Sequence, residues 1–361
     1  MATFIEAAIT VIAAFALLLV NTLLLVWTER KVVADMQARI GPNRAGPFGL
    51  LITLADGMKL FFKEQITPRK AEVGIYLMAP ILALLPALLI FLNIPIGGSF
   101  HIGDRLITLQ GVDLNVAVLL ILAFSSLAVY AVVLAGWSSG SKYPLLGAVR
   151  STAQAISYET AMALSLIPVV LFTSSQLAGF DGGVGAMSLA TIVEAQAGSF
   201  GGPIPAWFLF PLVPSFLVFM IAGFAETNRA PFDLVEAEQE LVGGFHTEYS
   251  GIRFAMFFLA EYINMFNISA IAATLFLGGW NGPTFSGVLP AFFAGAMPVV
   301  WFMVKTWALL FMFIWVRATL PRMRYDQLMQ FGWKRLIPVG LAWLVAFTVV
   351  TSVRQFGAPW S

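Results

Sequence analysis

Eight long apolar runs, at about 4–28, 73–93, 112–137, 152–173, 206–226, 254–277, 289–316 and 335–353, decide what this chain can fold into. A helix rises about 1.5 Å per residue, so about 20 apolar residues cross the hydrocarbon of a bilayer. Every backbone polar group in that layer needs an internal partner, which leaves helices or closed barrels. Runs of this length predict an all-α polytopic membrane protein with eight transmembrane helices, read as a single transmembrane domain over 1–361. Only 11% of the residues are charged, against about a quarter in a soluble domain. Prolines at 80, 86 and 168 predict kinks that neighbouring helices accommodate. The first run is not preceded by a basic region nor followed by an A-x-A site, and Glu29-Arg30-Lys31 comes after it, which suits a retained helix.

The charges are distributed unevenly. The segments after helices one, three, five and seven carry eight, two, two and five Lys and Arg residues, whereas the other loops and both tails hold only Arg105 and Arg354. By the positive-inside rule, 29–72, 138–151, 226–253 and 317–335 face the cytoplasm or matrix, and both termini lie on the outer, periplasmic side. Four polar loops on one face predict a docking surface for a soluble partner. Within the first loop, Leu50, Leu51, Leu54, Met58, Phe61 and Phe62 recur at helical spacing, with Asp56, Lys59 and Lys63 elsewhere. This segment is too short and too charged to span, so it is expected to be an amphipathic helix at the membrane interface after helix one.

Several chemistries are excluded. With no cysteine, the chain offers no thiolate for an iron–sulfur cluster. His101 and His246 make no recognisable zinc or haem spacing, so no metal site is expected. No dinucleotide or phosphate-binding glycine loop follows a strand signal. Any redox cofactor therefore belongs to a partner.

Two groups of ionisable residues remain. The stretch 226–248 holds Glu226, Asp233, Glu236, Glu238, Glu240 and Glu248, six of the chain's 19 carboxylates. Asp233, Glu236 and Glu240 would share a helix face, and Glu236, Glu238 and Glu240 one side of an extended segment. Crowded carboxylates beside a low-dielectric layer couple their titrations and suit proton handling. A solvated acidic loop is the plainer reading, and Pro231 and Gly243-Gly244 are loop punctuation. Glu159, Glu261 and Lys305 fall inside apolar runs, where an ionisable group marks a pathway or a pair. The structural alternative is a Glu261–Lys305 ion pair that pins two helices together. Arg30, Arg39, Arg317, Arg322 and Arg324 either partner these acids or anchor lipid headgroups.

Seven motifs then point to one family. They are ERKVVADMQARIGPNRAGPFGLL at 29–51, ADGMKLFFKE at 55–64, GWSSGSKYPLLG at 136–147, ISYE at 156–159, AETNRAPFDLVEAEQELVGGFHTEYSG at 225–251, and EYINM at 261–265 followed by RATLPRMRYDQLM at 317–329. Their sequence and order resemble the family of the membrane H subunit of respiratory complex I, the proton-translocating NADH:quinone oxidoreductase, called subunit 1 in mitochondria. The resemblance covers nearly the whole chain. It implies an enzyme subunit without a redox centre of its own, which builds the membrane part of a chamber for ubiquinone or menaquinone. FMN and iron–sulfur clusters would reside in partner subunits.

The implied partners are the peripheral-arm subunits, one holding the terminal iron–sulfur cluster and one the large quinone-site subunit, together with small and antiporter-like membrane subunits. No nucleic acid is implied. The expected location is a bacterial inner membrane rather than a mitochondrial one. Carried over by motif, Arg30, Arg39, Phe48, Asp56, Arg317 and Arg322 would shape the chamber. Glu29, Glu159, Glu226, Asp233, Glu236, Glu238, Glu240, Glu248, Glu261 and Lys305, which matches a lysine of the family, would couple it to proton movement. Ile52 stands where glutamine is usual, and Gly140 and Pro144 replace the usual Asn and Ala. The alternative is the anchor subunit of a membrane-bound hydrogenase, against which the complete QARIGPNRAGP and RYDQLM stretches weigh. A stand-alone transporter would predict inverted repeats, which the sequence does not display.

Overall fold

The computed structural model describes residues 2–102, 105–108, 110–176, 185–199, 205–233, 243–283 and 291–356. Helix α1 spans Ala2–Met36 and runs on past the apolar residues through Glu29-Arg30-Lys31. No breaker intervenes before Gly41-Pro42, and Glu, Arg and Lys are good helix formers. Next come a single 3-10 turn at Pro47–Gly49, helix α2 at Ile52–Phe62, and α3 at Val73–Leu92 with Pro80 and Pro86 inside it.

Two short strands, β1 Ser99–Ile102 and β2 Arg105–Thr108, then pair antiparallel with Ser99 opposite Thr108. This small hairpin lies in the connection between two long helices, and the other described elements are helical, in keeping with the all-α class. Ile102, Ile107 and Thr108 favour extended backbone, and Gly103-Asp104 between them is a turn-forming pair in the sequence. The helical order continues with α4 Ala117–Ser138, α5 Lys142–Gln176, the short α6 Leu189–Glu194, α7 Val213–Glu226, α8 Gly251–Phe276 and α9 Ala291–Thr319. Helix α10, Tyr325–Phe331, joins α11, Ile337–Phe356, through a π-helical turn at Gly332–Leu336.

Among the described residues seven segments are long and apolar enough to cross a membrane: Val11–Met36, Val73–Leu92, Ala117–Ser138, Lys142–Ser175, Gly251–Phe276, Ala296–Thr319 and Tyr325–Arg354. The run at 206–226 differs from its expectation, because only Val213–Glu226, 14 residues, is helical. Pro211 and Pro214 lack the amide hydrogens that would extend the helix backward. The turn before it borrows a partner instead, with Leu209 N donating to Phe276 O at 2.8 Å.

Helix α8 is the central post. From Tyr262 to Phe276 every residue but Asn264 is buried, in a core that includes Phe91, Phe219, Phe302 and Phe313. Away from this core, Val20, Ile81, Leu119, Leu127, Val345 and Val349 stand exposed on four helices. An apolar perimeter of this extent matches a lipid surface. Helix α2 lies outside the bundle. Thr53 donates to Leu23 O on α1 at 3.3 Å, while Leu54, Met58, Phe61 and Phe62 point outward.

Close backbone approach joins the segment after the acidic stretch to α5. A methyl group on Gly147 would stand 2.8 Å from the Gly244 Cα and 2.9 Å from Phe245 N, both backbone atoms. Overpacking of this kind costs about 1–3 kcal/mol. Gly147→Ala is therefore expected to lower the thermal midpoint of the detergent-extracted protein, while the equally helical but open Gly57→Ala does not. An unchanged midpoint for Gly147→Ala would show that 243–246 rides on α5 without close contact.

Candidate functional site

The site is built around a chain reversal at the end of α7. Gln154, fully buried on α5, donates its side-chain amide to Ala225 O at 2.7 Å and Phe232 O at 2.9 Å. An amide has two donor hydrogens, and here they hold both ends of the reversal. Met323 N donates to Pro231 O at 3.0 Å, tying the segment after α9 to the same turn. Thr227 and residues 229–233 are buried as a result, and Arg229 is carried into the interior.

There the Arg229 Nε lies 2.8 Å from Glu261 Oε1 on α8, and its Nη1 lies 3.3 Å from Glu29 Oε1 on α1. Arg317, at the end of α9, pairs closely with the same Glu29 oxygen. Tyr262 donates its hydroxyl to Glu29 Oε2 at 2.6 Å, and the Arg229 guanidinium sits 4.4 Å from the Tyr262 ring centre. Two carboxylates and two guanidinium groups balance in charge. Breaking such a pair by removing one partner typically costs about 3–5 kcal/mol, because the survivor is left charged and buried. Burial opposes the charge on Arg229, but Glu261 and Glu29 outweigh it, so its pKa rises further above the ordinary arginine value.

A second group lies beside it. Ser125 and Ser126, adjacent on α4, make close hydrogen bonds to Glu226 on α7 and Glu159 on α5 respectively. Glu226, Glu261, Asn228, His246, Asn264 and Thr152 line a cavity of about 110 Å³. A smaller cavity of about 30 Å³ shares Ser125, Glu226 and Asn264 and reaches toward Asn267. The larger cavity has the room and the polar lining to admit water, which needs roughly 10–15 Å³ and two or more polar partners. Glu226 thus stands between two cavities, and Asn264 interrupts the burial of α8 where the cavities meet it.

The sequence profile of the NADH dehydrogenase family matches residues 9–348. The chain belongs to this family. It is 53% identical over 352 residues to the H subunit of the NADH-quinone oxidoreductase of Frankia casuarinae, covering 97% of this chain and 74% of that one. It is 54% identical over 345 residues to the H subunit of the NADH-quinone oxidoreductase of Frankia alni, covering 96% of this chain and 72% of the relative.

In this NADH dehydrogenase family member the residues singled out by sequence fall into separate places. Glu29 and Glu261 meet at Arg229, Arg317 joins them through Glu29, and Glu226 and Glu159 meet at the α4 serines. Arg30 joins α1 to α2 through Asp56 at 2.7 Å, with Lys59 3.8 Å from the same carboxylate. Arg322 reaches Asp233 at 2.8 Å. Arg39 is exposed and donates to Gln37 at 2.7 Å. Phe48 is exposed with a left-handed φ of 55°, and its carbonyl accepts from Trp27 at 3.1 Å. Glu248 offers its carbonyl to the Tyr76 hydroxyl at 2.7 Å. Glu236, Glu238 and Glu240 lie outside the described residues.

Lys305 is not the partner of Glu261. Its ammonium donates to the carbonyls of Leu277, Gly279 and Asn281 at 2.6, 3.0 and 2.6 Å, and lies 4.7 Å from the centre of the Trp207 ring. These carbonyls follow the C-terminus of α8, where the helix dipole attracts a cation. Sequence reasoning leaves Arg229, Tyr262, Ser125, Ser126, Gln154 and His246 without a role. Adjacent serines in an apolar helix and a tyrosine beside Glu261 are the available signals.

His246 packs edge-on to Phe245 and Phe254, with ring centres 5.1 and 5.3 Å away. Burial pushes its pKa down to about 4, against the pull of the Asp233 carboxylate. The imidazole therefore stays neutral in the folded segment, whereas in an opened one it takes up a proton below about pH 6.5. Stability of 243–250 is expected to fall as the pH drops from about 6.5 to about 4, measured by hydrogen exchange. His246→Gln is expected to flatten that dependence. An equal pH slope in the variant would assign it to other groups.

Proposed function

We propose that this chain is the membrane H subunit of an NADH:quinone oxidoreductase, forming the membrane part of the quinone chamber and coupling quinone reduction to proton translocation. One observation carries the reading. Glu226 and Glu261 line a single cavity of about 110 Å³, and Arg229 joins Glu261 to Glu29 and hence to Arg317. The arrangement supports a line of carboxylates running from the half-exposed end of α9 into the bundle. Reduced quinone needs two protons, and charge removed near Glu29 would bias the acids behind it. Lys305, with three donors on three carbonyls, serves here as a fixed cation at the end of α8.

The turn before Val213–Glu226 completes an eighth crossing, α2 lies in the interface with Phe61 and Phe62 toward lipid, and the termini are periplasmic. The chain is one transmembrane domain. Its acidic and basic loops, 226–253 and 317–335, dock with 29–72 against the peripheral arm. Arg30, Asp56, Arg39, Phe48, Arg317 and Arg322 shape the chamber, and Glu29, Glu159, Glu226, Asp233, Glu236, Glu238, Glu240, Glu248 and Glu261 carry the coupling. Ubiquinone or menaquinone is the substrate. FMN and the iron–sulfur clusters belong to peripheral-arm partners, and antiporter-like subunits continue the membrane arm. The bacterial relatives support an inner-membrane location.

Glu226→Gln keeps an acceptor for Ser125 and removes the titratable proton. In inverted membrane vesicles it is expected to lower acidification per NADH oxidised several-fold, read with a pH-sensitive dye. Glu236→Gln, Glu238→Gln and Glu240→Gln are expected to act in the same direction. Full acidification in all four variants would sink the coupling role.

A further inference from the structure

We infer that Arg229 is the positioning residue through which a change of charge at Glu29 reaches Glu261. The inference rests on the coupling reading above and assigns its central step to a residue that carries no proton. An arginine keeps its charge at any physiological pH, so it can transmit only by where it stands.

The geometry gives this one guanidinium two masters. Its Nη1 serves Glu29 and its Nε serves Glu261, on helices α1 and α8. The two acids face different surroundings. Glu29 shares Arg317, whose side chain is 40% exposed, whereas Glu261 lines the inner cavity with Glu226. When Glu29 is neutralised, its hold on the guanidinium weakens and Glu261 becomes the stronger anchor. When Glu261 is neutralised, the shift runs the other way. Either change alters the field at the second acid without a proton crossing between them.

Two features favour movement of the side chain over movement of the loop. The backbone around Arg229 is pinned by Gln154 at Ala225 and Phe232 and by Met323 at Pro231. The guanidinium rests over the Tyr262 ring at 4.4 Å, a contact that tolerates sideways displacement.

The test uses the whole complex in inverted vesicles, with Arg229→Lys, Arg229→Gln, Glu261→Gln and the double variant Arg229→Lys/Glu261→Gln. Ferricyanide reduction by NADH, a reaction of the partner flavin, verifies assembly. A lysine ammonium keeps the charge but cannot span both carboxylates. Arg229→Lys is expected to lower protons translocated per NADH at least about fivefold, more than it lowers NADH oxidation. Adding it to Glu261→Gln is expected to change the ratio no further, since both act on one link. An unchanged ratio in Arg229→Lys, or rate and pumping falling in equal proportion, would overturn the inference. Should Arg229→Gln leave two buried acids unpaired and be degraded, Arg229→Lys still decides. Wild-type vesicles that oxidise NADH through quinone without acidification would instead overturn the coupling reading itself.

Discussion

A charge held in an apolar bundle needs a partner of opposite sign or a full set of hydrogen bonds, and much of this structure answers that one demand. Glu29 is buried on α1 and is met by Arg229, Arg317 and the Tyr262 hydroxyl, which come from a loop, α9 and α8. Those contacts draw separate elements to one point. Helix α1 runs past Glu29 to Met36 and α9 past Arg317 to Thr319, so both charged side chains project from helical backbone. The reversal after α7 is buried rather than solvated because it delivers Arg229 to the same point.

Lys305 meets the same demand in a different way. Three carbonyls at one helix end supply all the acceptors an ammonium can use, so the cation is satisfied without any acid. That arrangement leaves Glu261 available for Arg229. The bundle thus holds two kinds of buried cation, one shared between carboxylates and one fixed by backbone.

The spans were legible because length and hydropathy are local properties: seven of the eight runs became long apolar helices. The shortened 206–226 helix was readable in principle from Pro211 and Pro214, whose effect a hydropathy count ignores. The hairpin at 99–108 was hidden by its small size between two long runs. In the site, the acids were visible as charges in the wrong solvent, yet their partners were not. Arg229 lies 200 residues from Glu29 in sequence, and Gln154 lies 71 and 78 residues from the carbonyls it holds. Spacing along the chain carries no trace of such pairs. The Glu261–Lys305 pairing failed for that reason, since proximity in hydropathy depth is not proximity in space.

The two serines of α4 have a mechanical meaning. Neighbouring residues on a helix point about 100° apart, so Ser125 and Ser126 reach to different neighbours, α7 and α5, from a single turn. Glu226 and Glu159 are therefore registered to one rigid rod. A slide or twist of α4 would lengthen or relieve both hydroxyl contacts together, so that helix ties two acids on different helices to a common displacement.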